Sequence, residues 1–208
     1  MFQQINNVST IACITLFVAV FISGVTGFSG SVQDQMLAQW EEFSQKPESK
    51  QLVKWLRCQA RAKLTGTECD EQLKTSLPPY FGRLGVFITL TKGKKVRGCY
   101  GAFFHTRTDI KELLLDYLSG AMTRDARYEP LDRGEFEATS IILSITSPPQ
   151  AVTDLDSVDV HRYGISVNCG DGIMSVYVPA EIRSMEFLQK HIKGIECQIS
   201  AFRTVTIR

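Results

Sequence analysis

The chain has 208 residues, 44% of them apolar and 22% charged. That composition suits one globular domain with a short appendage and excludes a mostly disordered chain. Its 23 Lys and Arg against 22 Asp and Glu leave a formal charge of +1, without the basic excess of a dedicated nucleic-acid binder, so no nucleic-acid partner is expected.

Residues 1–30 read as a unit of their own. From Ile11 to Ile22 every residue is apolar except Thr15, and the uncharged stretch extends to Phe28. The shorter span fits a signal-peptide core. The longer one lies at the lower limit for a membrane span, so membrane contact is expected through residues 11–28. Val25, Gly27 and Gly30 offer points for cleavage, while Met1–Thr10 holds no Lys or Arg and specifies orientation weakly. The domain is expected to be exported or membrane-anchored, on a side the sequence leaves open. A start at Met36 would instead leave it cytoplasmic.

Val32, Met36, Leu37, Trp40 and Phe43 fall on one helical stripe, read as a linker helix over residues 31–47. The main domain then covers 48–208. Its first helix spans about Ser49–Leu64, with a basic face of Lys50, Lys54, Arg57, Arg61 and Lys63 that reads as solvated. Thr65–Tyr80 is turn-rich. Gly85–Lys92 alternates, Lys92-Gly93-Lys94 turns, and Lys95–Phe104 returns as the second strand of a hairpin. Thr108 or Asp109, with Glu112 three residues after Asp109, opens a helix that ends near Arg124.

Phe136–Thr146 reads as a strand and Asp154–Asp159 as an acidic surface loop. Ile165–Asn168 and Ile173–Val178 read as strands joined across Gly170-Asp171-Gly172. A helix at about Ser184–Ile192 and one or two strands, Gln198–Ala201 and Thr204–Ile207, complete the chain. Hairpins and helices interspersed in this order give an α+β fold with a mostly antiparallel sheet and flanking helices.

The five cysteines beyond residue 30 are Cys58, Cys69, Cys99, Cys169 and Cys197, an odd number that leaves at least one thiol free and does not fix the pairing. There is no Cys-x-x-Cys, and His105, His161 and His191 are dispersed, so no metal site and no cofactor is called for. Chemistry concentrates in Val96-Arg97-Gly98-Cys99-Tyr100-Gly101. Two glycines leave bare backbone around a thiol. Strand alternation puts Arg97 on the face of Cys99, where a cation favours the thiolate. Asp125 and Arg127 read either as ligand contacts or as an ion pair that pins their loop.

That hexapeptide resembles the Leu-Arg-Gly-Cys-Ile-Gly signature of the AMMECR-one domain family. Gly85–Leu90 is similar to the strand before the signature. Ala121–Tyr128 is similar to the helix end Ala-Ala-x-x-Asp-x-Arg-Phe, Ser144–Pro149 to Ser-Val-Leu-Thr-Pro-Pro, and Val178-Pro179 to a Leu-Pro. Tyr100 and Tyr163 stand where the family has Ile and His. The resemblance covers residues 48–208. It implies an α+β fold of two unequal subdomains, with a cleft lined by the signature. It also implies association with Memo-like and radical-SAM proteins in a redox or modification pathway.

Two functions follow as expectations. One is a binding module that holds a small anionic ligand or a protein segment through Arg97, Gly98, Gly101, Asp125 and Arg127. The other is an enzyme that uses Cys99 as nucleophile or redox thiol. No base is paired with Cys99 in the sequence: His105 lies six residues on, roughly 20 Å along a continuous strand. That absence favours the binding module.

Overall fold

The computed structural model describes residues 31–169, 174–182, 184–192 and 197–208. The apolar stretch Ile11–Phe28 and the expected turn at Gly170-Asp171-Gly172 lie outside them. Among the described residues no helix is long and apolar enough to cross a membrane.

Helix α1 (Val32–Ser44) starts at a capping box: the Ser31 hydroxyl accepts from the Asp34 amide, and the Asp34 carboxylate accepts from the Ser31 amide. Its stripe of Met36, Leu37, Trp40 and Phe43, read from the sequence as a linker helix, is buried in the main core. Helix α2 (Pro47–Thr65) opens with Pro47, whose missing amide costs nothing in a first turn, and closes on Gly66 at φ 69°. The basic face of α2 is not simply solvated. Arg57 donates to the carbonyls of Thr139 and Glu137, and Arg61 pairs with the Glu137 carboxylate at 3.0 Å, so the face pins the start of a strand.

Strands β1 (Gly85–Lys92) and β2 (Lys95–Ala102) form the hairpin, turning at Gly93 with φ 59°. Helix α3 (Ile110–Thr123) is capped by Asp109, whose carboxylate accepts from the amides of Lys111 and Glu112. A one-turn helix α4 (Arg133–Phe136) follows, capped by Asp132 at 2.8 Å from the Glu135 amide. It takes Phe136 out of the expected strand and buries it in the core, so β3 runs only over Thr139–Thr146.

Next come β4 (Gln150–Ala151), β5 (Tyr163–Asn168), β6 (Met174–Tyr177), α5 (Met185–Ile192) and one continuous β7 (Gln198–Ile207). The strands form one antiparallel sheet in the order β2-β1-β3-β7-β5-β6, with β4 on β7. The fold is α+β, as the element order implies.

Strand alternation sends Val86, Ile88, Leu90, Ile141, Leu143 and Ile145 to one face, where they pack under α1, α2 and α3 in the large core. A smaller core of Ile165, Val167, Leu188 and Ala201 lies around β5 and α5. The other face of β1–β3 carries Phe87, Thr89, Thr91, Ser144 and Thr146. It is covered by the link Val178–Ile182, whose Val178 packs on Phe87, Phe103 and Phe202. Two disulfides tie loops to this frame. Cys58–Cys69 joins α2 to the following loop, and Cys169–Cys197 joins the end of β5 to the start of β7.

Candidate functional site

Cys99 is the one free cysteine among the described residues. It sits on β2 opposite Thr89, whose hydroxyl lies 3.3 Å from the sulfur. Its backbone amide donates to Asp125 Oδ2 at 2.7 Å. Asp125 is in turn held by Arg127, whose guanidinium reaches Asp125 Oδ2 at 2.8 Å and Glu181 Oε1 at 3.0 Å. Glu181 also accepts from the Val178 amide. Arg127 therefore bridges two nearly buried carboxylates and fastens the Val178–Ile182 link over the cysteine face.

The electrostatics follow from that geometry. Burial pushes the Cys99 thiol well above its ordinary pKa, and the Glu181 charge pushes the same way, with a smaller push from Asp125. The Thr89 bond and the Arg127 charge oppose them and lose. Burial also raises Glu181 against the pull of Arg127. Burial acts on Asp125 too, but the hydrogen bonds from Arg127 and from the Cys99 amide prevail and hold its carboxyl below the usual range. Arg127 is fixed in its charged form, first by its bond to Asp125. A protonated thiol beside two carboxylates is a poor nucleophile.

Arg97 is not the cation of this thiol. Leu90 pairs with Gly98 while Thr91 pairs with Val96, so Arg97 is the extra residue of a β-bulge, and the two-residue alternation expected to bring it to Cys99 is broken there. Its guanidinium binds Glu135 at 2.8 Å instead. The two glycines are packing positions rather than bare backbone. A Cβ at Gly98 would collide with the Ala121 carbonyl of α3, and one at Gly101 with the Val86 carbonyl of β1. His105 bonds the Tyr117 hydroxyl at 2.8 Å and the Leu84 carbonyl at 2.9 Å, so it serves no thiol. Of the expected site residues, Cys99, Asp125 and Arg127 come together, whereas Arg97, Gly98 and Gly101 are engaged elsewhere.

Sequence patterning does not bring Glu181 to this site; its one signal is a lone carboxylate in the apolar run Val176–Ile182. A cleft is expected from the resemblance, but with a different lining. A cavity of about 890 Å³ opens beside β3, between the hairpin turn, α2 and the Pro179–Ile182 link. Its floor is apolar, with Val53, Ile141, Ile142 and Ile182. Its described lining carries the cations Arg57, Lys94, Lys95 and Arg208 and no acidic side chain. Lys94, Lys95 and Arg208 form no ion pair among the described residues. Ala180 both lines the cleft and packs against the Cys99 cluster, so the two features share a wall. The hairpin turn, not the signature hexapeptide, contributes the cleft residues. No cluster of His, Cys, Asp and Glu among the described residues has the make-up of a metal site.

Comparison with known proteins locates the chain among its relatives. The family model described as AMMECR1 matches residues 41–204. A protein of Thermotoga maritima is 32% identical over 101 residues, 48% of this chain and 57% of the relative. One of Methanosarcina acetivorans is 32% identical over 124 residues, 55% of this chain and 62% of the relative. The chain thus spans little more than half the length of these curated relatives. The crystal structure of an uncharacterized protein from Pyrococcus horikoshii shares the fold, with a TM-score of 0.57 and 19% identity over 80% of this chain and 90% of that one.

Proposed function

The chain belongs to the AMMECR1 family, and we propose that this protein is a binding module whose cleft beside β3 takes an anionic ligand. In this reading Cys99 packs in the cluster behind Ala180, which lines the cleft, and does no chemistry. One observation carries the reading: Lys94, Lys95 and Arg208, with no ion-pair partner among the described residues, stand around an apolar floor in a cavity of the size that ligand sites occupy. Lys94 and Lys95 stand exposed at the tip of a hairpin fixed by Gly93, so their charge is presented without being spent inside the fold. The Arg127 bridge serves the cleft indirectly, because it holds the link that forms one wall.

The same reading places the domain in an oxidising compartment. Two of the disulfides possible among its cysteines are formed, and such bonds persist in exported proteins while cytosolic thiols stay reduced. The apolar N-terminal stretch is consistent with export, and partners in a redox or modification pathway would then have to meet the domain there.

Calorimetric titration of the full chain with a short oligoglutamate, with inorganic polyphosphate and with a neutral oligomer of equal length tests the proposal. The anions are expected to bind and to weaken with added salt, and the neutral oligomer to give no heat. Charge reversal by Lys94→Glu with Lys95→Glu is expected to weaken anion binding about tenfold or more. Equal binding by the reversed chain contradicts the proposal.

A further inference from the structure

Two loops meet at the end of the sheet where β1 begins. Phe103 is buried there, but its neighbour Phe104 is 80% exposed, the most exposed large apolar side chain among the described residues, and Phe81 is 45% exposed. Phe81 stands at the tip of a turn in which the Leu84 amide donates to the Tyr80 carbonyl at 3.1 Å and Gly82 takes φ 66°. The loops are fastened to each other. The Tyr80 hydroxyl donates to the Arg107 carbonyl at 2.8 Å, His105 Nε2 donates to the Leu84 carbonyl at 2.9 Å, and the Tyr80 and His105 rings lie 5.7 Å apart. Both phenylalanines flank that contact. Single exposed apolar residues are ordinary on a surface, whereas two phenyl rings held out on joined turns form a patch.

Two further observations say what covers the patch. Arg83, at the same tip, is exposed and has no ion-pair partner among the described residues. Arg107, beyond Phe104, keeps only long contacts, 3.7 Å to Glu112 and 4.0 Å to Asp116. Second, the uncharged stretch Ile11–Phe28 ends just before the Ser31 cap of α1. Trp40 of α1 donates its indole N–H to the Pro79 carbonyl at 3.0 Å, so the first helix after that stretch braces the turn that displays Phe81.

We propose that the Phe81 and Phe104 patch seats the domain on an anionic lipid surface. The rings enter below the headgroups, and Arg83 and Arg107 meet the phosphates. The β1–β2 hairpin leads away from the patch for about 25 Å, so Lys94 and Lys95 at its turn lie at the far end. The inference does not depend on what the cleft binds.

The test uses the full chain in vesicles of phosphatidylcholine and phosphatidylglycerol whose acyl chains carry bromine, a quencher of tryptophan emission. Both native tryptophans are buried, so the wild-type chain supplies the baseline. Phe104→Trp is expected to be quenched at least about twofold more than Lys92→Trp, a reporter at the far end of the hairpin. Phe81→Ser added to the Phe104→Trp chain is expected to reduce that quenching. No quenching of Phe104→Trp, or equal quenching of the two reporters, overturns the proposal. Quenching that Phe81→Ser leaves unchanged overturns the patch of two rings.

Discussion

At Cys99 a thiol, two carboxylates and a guanidinium share one buried corner, and the balance among them decides what the residue can do. Burial and Glu181 keep the proton on sulfur. Alkylation of Cys99 in the folded full chain is therefore expected to show a midpoint above the free-thiol value of about 8.5, and to speed up in urea. A midpoint below that value contradicts the account. Glu181 gives a second expectation at this scale. Its folded pKa is raised above the ordinary 4.5, so the stability linked to it is fully present below that value and is lost as pH rises through the folded value. Asp125 has the opposite sign: its contribution is present above 3.8 and is lost as pH falls through its lowered folded value.

Urea melts across pH should thus show the wild-type chain losing stability relative to Glu181→Gln as pH rises past the carboxylate range. A difference that grows the other way refutes the assignment. Thr146 offers a simpler case. Its buried hydroxyl has no hydrogen-bond partner among the described residues. Thr146→Val removes that polar group at nearly constant volume and is expected to raise stability by about 1 kcal/mol in the same melts.

Among the elements, the contact of β2 with α3 depends on the absence of a side chain at Gly98. Gly98→Ala drives a methyl into the Ala121 carbonyl and is expected to cost about 2–3 kcal/mol in a urea melt. Gly66→Ala, which meets open space and suffers only its positive φ, is expected to cost about 1 kcal/mol. Similar costs at the two positions would show that Gly98 is not a packing position.

This contrast also explains what the sequence could and could not reveal. Strand β1, the hairpin turn and the Asp109 cap are local in origin, since alternation, Gly93 and one capping carboxylate specify them, and each was legible. Helix α4 was not, because the Asp132 cap competes with the apolar pattern of Phe136–Thr146 and wins by burying Phe136 in the main core. The Arg97 bulge was equally invisible, since a one-residue slip against β1 has no signature in β2 alone. With it went the expected pairing of Arg97 and Cys99. Cys99, Asp125 and Arg127 were legible as candidates, but the bond from the Cys99 amide to Asp125 that joins them was not. Glu181, brought to them from 54 residues beyond Arg127, was not.

For the molecule as a whole, a formal charge of +1 conceals an uneven distribution. Acidic side chains pair with Arg57, Arg61, Arg97, Arg124 and Arg127 around the frame, while Lys94, Lys95 and Arg208 gather at the cleft without partners among the described residues. The two disulfides hold the loops of both cores. Loss of Cys58–Cys69, which closes a segment with a sequence separation of 11, is expected to cost about 3 kcal/mol on the Cys58→Ser, Cys69→Ser double variant.

The central claim is that the cleft, not the thiol, carries the function. It is tested most directly by measuring the dissociation constant of one acidic peptide for three full-length chains side by side: wild type, Cys99→Ser, and Lys94→Glu with Lys95→Glu. The account predicts that Cys99→Ser binds as the wild type does and that the charge-reversed chain binds about tenfold or more weakly. Loss of binding in Cys99→Ser, with the lysine variant unaffected, would contradict it.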